Sequence, residues 1–307
     1  MGYLTRNLDR RQDPTLLVPG ARSIVCVGLN YRPDNQVPSD ETPSGRISCY
    51  ARGDDYHDVI GDRTRALGEW MTAEHDEPSR CRIYVDTGPI QEKAFAERAG
   101  LGWVGKNTCL IHPELGSWLF LSVVVTPLDL AADPPGFDQC GSCTLCLDAC
   151  PTKAFPTPGV LDSTRCLSYL TIETKGALPE ALRPSLGNHV YGCDICQEVC
   201  PYNQQPPVSD DPAWQPRQAL DRPDLGELWR SSDAELRDAI RGGAMLRARV
   251  RGLRRNVAVA LGNTDDAGLA RMLEESDAVA VSDDGVRDPL VAEHLAWARN
   301  RLDSGSR

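Results

Sequence analysis

The strongest constraint in this sequence is the spacing Cys140-x2-Cys143-x2-Cys146-x3-Cys150-Pro151. Three thiolates in one short loop fit three corners of an iron–sulfur cubane. The fourth points away and serves a second cubane, as in bacterial two-cluster ferredoxins. The proline ends the loop and sends the chain onward. A second set, Cys193-x2-Cys196-x3-Cys200-Pro201, lacks one loop cysteine, and Cys166 is the substitute. Exchange of the last cysteine between loops assigns Cys140, Cys143, Cys146 and Cys200 to one [4Fe–4S] cluster. Cys150, Cys166, Cys193 and Cys196 go to the other. Zinc also takes Cys-x2-Cys pairs, but it has no use for three thiolates packed this closely. Two adjacent clusters pass electrons one at a time, so the chain reads as a redox protein.

Four of the twelve cysteines remain. Cys26, Cys81 and Cys109 sit in or beside apolar, strand-like runs and read as small buried hydrophobes. Cys49, in a polar stretch between Ser48 and Tyr50, is a candidate for a cofactor surface. The opening MGYLTRNLDRRQDP has no apolar core of a secretory signal, and Gln-Asp-Pro follows Arg10-Arg11 where an export signal needs hydrophobic residues. A cytoplasmic protein that uses its cysteines for metal is therefore expected. No apolar run is long enough to span a membrane.

The net charge of −11 speaks against indiscriminate nucleic-acid binding. Residues 241–255, RGGAMLRARVRGLRR, reverse that sign locally, with six arginines and no acid. Arginine suits phosphate because its planar fork donates two parallel hydrogen bonds.

Strands are expected at 21–30, 81–86 and 119–126, with helices from Arg63 to Ala73 and Ile90 to Ala99, which suggests an α/β or α+β layer domain. Pro134-Pro135-Gly136 marks a linker before the cysteine unit. Beyond about Leu225 the chain turns helical. Leu253, Val257, Ala260 and Leu261 share one helix face. Asp265 or Asp266 can cap a helix carrying Leu269, Met272 and Leu273. Asp288-Pro289 opens another with Val291, Leu295, Ala298 and Leu302 on one side.

Gly100-x-Gly102-x2-Gly105-Lys106 imitates nucleotide-binding loops. Such loops follow a strand and open a helix. Here a helix-like run precedes, Leu110-Ile111-His112-Pro113 follows, and Asn107 stands where a P-loop hydroxyl belongs. Nucleotide binding is not expected, but glycines this dense imply close approach of backbone to something flat or bulky.

YVDTGPIQEKAFAERAGLGWVGKNT, CGSCTLCLDACPTKA, RCLSYLTIE and GCDICQEVCPYN together resemble the epoxyqueuosine reductase family, from about residue 17 to the C-terminus. The resemblance implies an α+β fold. A reductive-dehalogenase-like α/β cobalamin-binding core would span 1–135, a ferredoxin-like unit with two [4Fe–4S] clusters 136–215, and an all-α HEAT-like region 216–307. The resemblance implies some forty to fifty residues before the stretch in which this sequence opens, so either part of the core's first layer is missing or the start is misassigned.

The implied reaction removes the epoxide oxygen of epoxyqueuosine at the tRNA wobble position. It uses cobalamin, resting as cob(II)alamin and working as cob(I)alamin. The family's acid maps onto Asp86, expected with a raised pKa in a closed site. Without the resemblance Asp86 reads as a helix cap before Pro89. Asp55, Tyr56 and His57 match a motif near the corrinoid, and Cys49 is placed with them; alone, that trio reads as a solvated loop. Trp103 and the glycine loop would shape the site. Arg247, Arg249, Arg251, Arg254 and Arg255 would grip the tRNA. A reducing partner of unknown identity and a monomeric state complete the expectation. A corrinoid-dependent reductive dehalogenase and a ferredoxin-type electron carrier remain as alternatives.

Overall fold

The computed structural model describes residues 6–32, 44–74, 81–274 and 288–305. A short helix α1 (Leu8–Gln12) leads into strand β1 (Ser23–Asn30), followed by the two-residue strand β2 (Arg46–Ile47). Helix α2 (Tyr56–Glu74), strand β3 (Arg82–Tyr84) and helix α3 (Glu92–Arg98) come next, then the small strands β4 (Trp103–Val104) and β5 (Leu110–Ile111). Strand β6 (Leu119–Thr126) is the centre of a sheet ordered β1-β6-β3. Both neighbours run antiparallel to it, with Ser23 opposite Thr126 and Ile83 opposite Val124.

The run LFLSVVVT makes β6 a buried strand, because β-branched side chains pack well on a pleated surface. Its alternation separates two packing layers. Val123 and Val125 meet Ile90 and Phe95 near α3, whereas Val124 meets Met71 of α2. Thr64 of α2 and Ser122 satisfy each other across the second layer at 2.7 Å.

Helix α2 begins earlier than its apolar pattern predicts. The Asp55 carbonyl accepts from the Asp58 and Val59 amides, and its carboxylate accepts from the His57 amide. The polar stretch 55–57 is therefore a capped first helical turn, not a solvated loop. Polarity alone cannot separate a loop from a first turn.

In the cysteine unit, short helices α4 (Leu145–Asp148) and α6 (Ile195–Glu198) each follow a cysteine loop and pack on each other. Helix α5 (Leu167–Ile172) starts at Cys166, and strand β7 (His189–Tyr191) runs parallel to β2. The C-terminal helices are α7 (Leu225–Arg230), α8 (Asp233–Ala239), α9 (Arg249–Gly262), α10 (Ala267–Glu274) and α11 (Pro289–Gly305). Asp266 and Asp288 cap the last two with side-chain oxygens. Val291, Leu295 and Ala298 are buried in one core with Leu253, Val257 and Leu261, and this core continues to Ile47, Ile172 and Val190.

The arginine run does not form a single basic face. Arg247, Arg249 and Arg251 are exposed. Arg247 pairs with Glu173 and Arg251 with Asp288. Arg254 and Arg255, expected on the tRNA surface, lie inside at 7% and 0% exposure. Helix α9 is central, so its later turns have neighbours on all sides. Arg254 donates to the Ser231 carbonyl and pairs with Asp233. Arg255 donates to the carbonyls of Leu170, Thr174 and Gly176, and Asn256 donates to those of Thr171 and Val190. These two residues tie α5 and β7, the segments flanking Cys166 and Cys193, to the helical layer.

Candidate functional site

The first cysteine set surrounds a cavity of about 340 Å3 whose lining includes Cys140, Cys143, Cys146 and Cys200. These are the four thiols that the spacing groups together. Trp103 donates its indole N–H to the Cys140 sulfur at 3.4 Å, and Tyr202 packs edge-on against Trp103. Lys106 donates to the Gly141 and Cys143 carbonyls, fixing the loop from below. The cavity and its four sulfurs suit a cubane, with Ile111 and Leu145 supplying an apolar wall.

The second set gathers as well. Cys193 lies within electrostatic reach of Cys166 and Cys150, and Cys196 of Cys193 and Cys166. Backbone amides of Ser168 and Tyr169 point at Cys166, and that of Ile195 at Cys193, so each sulfur meets donors from the first turn after it. The Ala154 amide does the same for Cys150 at 3.3 Å.

Cys109 packs beside the apolar strand β5, as expected, and also stands against the second cysteine set. Its side chain lies within electrostatic reach of Cys196. The Asn107 carboxamide joins this corner, accepting from the Cys109 amide and donating to the Cys196 carbonyl. Nothing in the sequence brings Cys109 to Cys196, since the approach crosses more than eighty residues. Cys26 behaves as expected, with burial pushing its thiol up to about 12.

The glycine loop approaches the chain's own backbone. A Cβ on Gly102 would collide with the Ile111 carbonyl, and one on Gly105 with the Ile111 side chain. The glycines bring β4 against β5 and place Trp103, Lys106 and Asn107 on the cysteine loops.

A second cleft, of about 290 Å3, is lined by Tyr31, Tyr50, Tyr56, Asp86, Glu92 and Phe120 among others. Tyr56 stacks on Phe120 at 4.6 Å with 6° between the rings. The Tyr56 hydroxyl donates to Asp86 Oδ2 at 3.1 Å, and His57 Nε2 lies 3.4 Å from the same oxygen. His57 Nδ1 lies 2.7 Å from Asp55 Oδ1. The trio expected near a corrinoid therefore converges on Asp86.

Burial alone would lower the His57 pKa, but its bonds and charge interactions with Asp55 and Asp86 carry it up to about 9. The imidazole is thus positive at neutral pH. The expectation of a raised pKa at Asp86 is not met. Its side chain is 66% exposed at the cleft mouth, and the His57 hydrogen bond holds it below the usual carboxylate range. The proton of this group resides on His57.

Cys49 does not reach the cleft surface. It is buried beneath it at 6% exposure, with its amide donating to Asp194 at 2.7 Å. Tyr31 forms the inner wall. Behind it stand Asp194, Cys49 and Cys109, whose charges add to burial in raising its pKa. Cys109 in turn lies near Cys196, so the cleft backs onto the second cysteine set.

Two four-thiol sets and a carboxylate–imidazole cleft against one of them define an iron–sulfur oxidoreductase. A family model for the 4Fe-4S double cluster binding domain matches residues 139–203. Another, described as epoxyqueuosine reductase QueG, DUF1730, matches residues 11–87. The epoxyqueuosine reductase of Gloeobacter violaceus is 45% identical over 84% of this chain and 82% of its own length. That of Escherichia coli is 38% identical over 97% of this chain and 77% of its own.

The crystal structure of an epoxyqueuosine reductase with an epoxyqueuosine-modified tRNA-Tyr stem loop superposes with a TM-score of 0.89 at 34% identity, covering 98% of this chain and 79% of that one. The Bacillus subtilis enzyme, solved with its catalytic aspartate loop swung out of the active site, gives 0.87 at 33% with the same coverage. This chain belongs to the epoxyqueuosine reductase family. Among the described residues no helix is long and apolar enough to cross a membrane.

Proposed function

We propose that this chain reduces epoxyqueuosine in tRNA to queuosine, with Asp86 as the acid at the reacting centre. One observation carries the reading: Asp86, Tyr56 and His57 meet in a cleft whose inner wall backs onto Cys109 and Cys196. In this reading residues 1–135 carry the cleft, 136–215 the clusters and 216–307 the RNA-facing helices, and one chain is the working unit.

Tyr31, Tyr50, Tyr56 and Phe120 give the cleft an aromatic, largely apolar lining against which a corrin edge would pack. Cobalamin there, fed single electrons from an external reductant through the two clusters, would supply the reducing power.

The chain's own residues manage the protons. Converting an epoxide to an alkene takes two electrons and two protons and releases the oxygen as water. As charge grows on the departing oxygen, Asp86 is placed to pass it a proton drawn from the His57 imidazolium, with Asp55 holding the ring. The Tyr56 hydroxyl steadies the Asp86 carboxylate between transfers.

The exposed arginines 247, 249 and 251 are proposed to take the tRNA phosphates. Arg247 lies near enough to Asp86 for its charge to lower that pKa, which supports a reading in which RNA phosphates lie close to the acid. Nucleosides of tRNA from a strain lacking this gene test the reading. Epoxyqueuosine accumulates and the intact gene restores queuosine; unchanged queuosine would refute it.

A further inference from the structure

We infer that the Trp103 indole tunes the reduction potential of the cluster held by Cys140, Cys143, Cys146 and Cys200, raising it through the N–H donated to the Cys140 sulfur. The inference rests on those four thiols being cluster ligands.

Trp103 does not line the Asp86 cleft. It is 1% exposed and packs with Ile111 and Cys200 in a small core that Cys140 and Tyr202 border. The ring therefore lies against two of the four thiols. Its Nε1 donates to Cys140 Sγ at 3.4 Å. An indole N–H can only donate, and when buried it needs a partner from the protein. Tyr202 meets the ring edge-on, with centroids 4.8 Å apart and 77° between the planes, and so limits its rotation.

The glycines hold the indole in place. Gly100, at φ +74°, passes so near the Pro134 carbonyl that a Cβ would strike it. A Cβ on Gly136 would overlap the Gly102 carbonyl. Glu97 of α3 pins both segments. Its carbonyl accepts from the Gly136 amide at 2.8 Å, and its carboxylate accepts from the Val104 amide at 2.7 Å. Lys106 reaches on to the Gly141 and Cys143 carbonyls. The stretch 97–106 is thus fastened to 134–143 on either side of Trp103, which keeps the N–H on Cys140.

A cluster becomes more negative when it takes an electron. A hydrogen bond donated to a ligand sulfur strengthens in that state and so raises the potential. A purely space-filling role predicts the opposite response to mutation. A smaller ring would admit water to the sulfur, and water dipoles also favour the reduced cluster. Lost packing raises the potential, whereas a lost N–H lowers it.

The test uses the iron-loaded enzyme in anaerobic reductive titrations followed by electron paramagnetic resonance. Trp103→Phe keeps an aromatic ring and removes the donor. A second protein carries 3-benzothienylalanine at position 103, which has the shape of tryptophan with sulfur in place of the N–H. In both, one of the two cluster couples should move to lower potential. At the wild-type midpoint of that couple, its reduced-to-oxidised ratio should fall about tenfold, the equivalent of ~59 mV for one electron. The other couple and the iron content should match the wild type.

An unchanged or raised couple in the benzothienyl protein overturns the inference, because that protein keeps the packing. Equal shifts of both couples overturn it too, since the indole touches one set of thiols. A raised couple in Trp103→Phe beside a lowered one in the benzothienyl protein supports it, with water entering behind the smaller ring. Should Trp103→Phe lose its iron, the benzothienyl protein decides alone. If Cys140→Ala keeps both couples at wild-type potentials, the ligand assignment fails, and the tuning fails with it.

Discussion

The cysteine unit and the Asp86 cleft both hold several side chains in register, but they do so over different distances along the chain. Seven of the eight cysteines assigned here to clusters come from two tight loops, 140–150 and 193–200. Their relative positions follow from loop geometry, and a bound cubane would complete them. The cleft takes Tyr31 from beyond β1, Tyr56 and His57 from the first turn of α2, Asp86 from beyond β3 and Phe120 from β6. Only the folded sheet brings these together. The cluster sites should therefore respond to single ligands, while the cleft should respond to whatever moves a loop or a charge.

The largest effect is expected at Cys166, the one proposed cluster ligand outside the loops. Cys166→Ala should cut bound iron to about half, one cubane of two, and abolish turnover. Cys109→Ala should keep all the iron, because Cys109 lies beside a proposed ligand without being one. Equal iron loss in both would break the comparison.

Next comes Arg255, which satisfies three carbonyls behind the second cysteine set. Arg255→Leu should cost about 3 kcal/mol by leaving them buried and unpaired, seen as a lowered denaturation midpoint. A change within error would show that water replaces the guanidinium.

The cleft should reveal itself through pH. The folded His57 pKa of about 9 lies above the ordinary 6.5. The stabilisation it reports is complete below 6.5 and lost as pH rises through 9. Turnover should follow that limb, falling about tenfold per unit above pH 9 as the imidazolium empties. His57→Asn should be slow throughout and lack the limb. A wild-type profile flat to pH 10 would move the proton store elsewhere.

The smallest effect belongs to Arg249 on the exposed part of the basic run. Arg249→Ala should change stability by less than about 0.5 kcal/mol, weaken tRNA binding a few-fold and reduce the salt slope by about one.

What could be read in the sequence follows the same division. The gathering of Cys140, Cys143, Cys146 and Cys200 around one cavity was legible because it lies in spacing, and β1 and β6 because apolar runs mark buried strands. The start of α2 was not, since its first turn is polar and capped by Asp55. Arg254 and Arg255 read as surface because their carbonyl partners lie far off in sequence, and only α9's central position turns them inward. Asp86 was legible as a residue but not in its charge state, which His57 sets across about thirty positions. Cys109 carries no pattern of its own and gains meaning only from what the fold places beside it.

The most direct measurement compares wild type and Asp86→Asn, both loaded with iron and cobalamin, in a single anaerobic turnover on epoxyqueuosine-modified tRNA with excess chemical reductant. Wild type should form queuosine, while the variant, with equal iron and equal tRNA affinity, should form it at least about a hundredfold more slowly. Queuosine formed at the same rate by both would contradict the account at its centre.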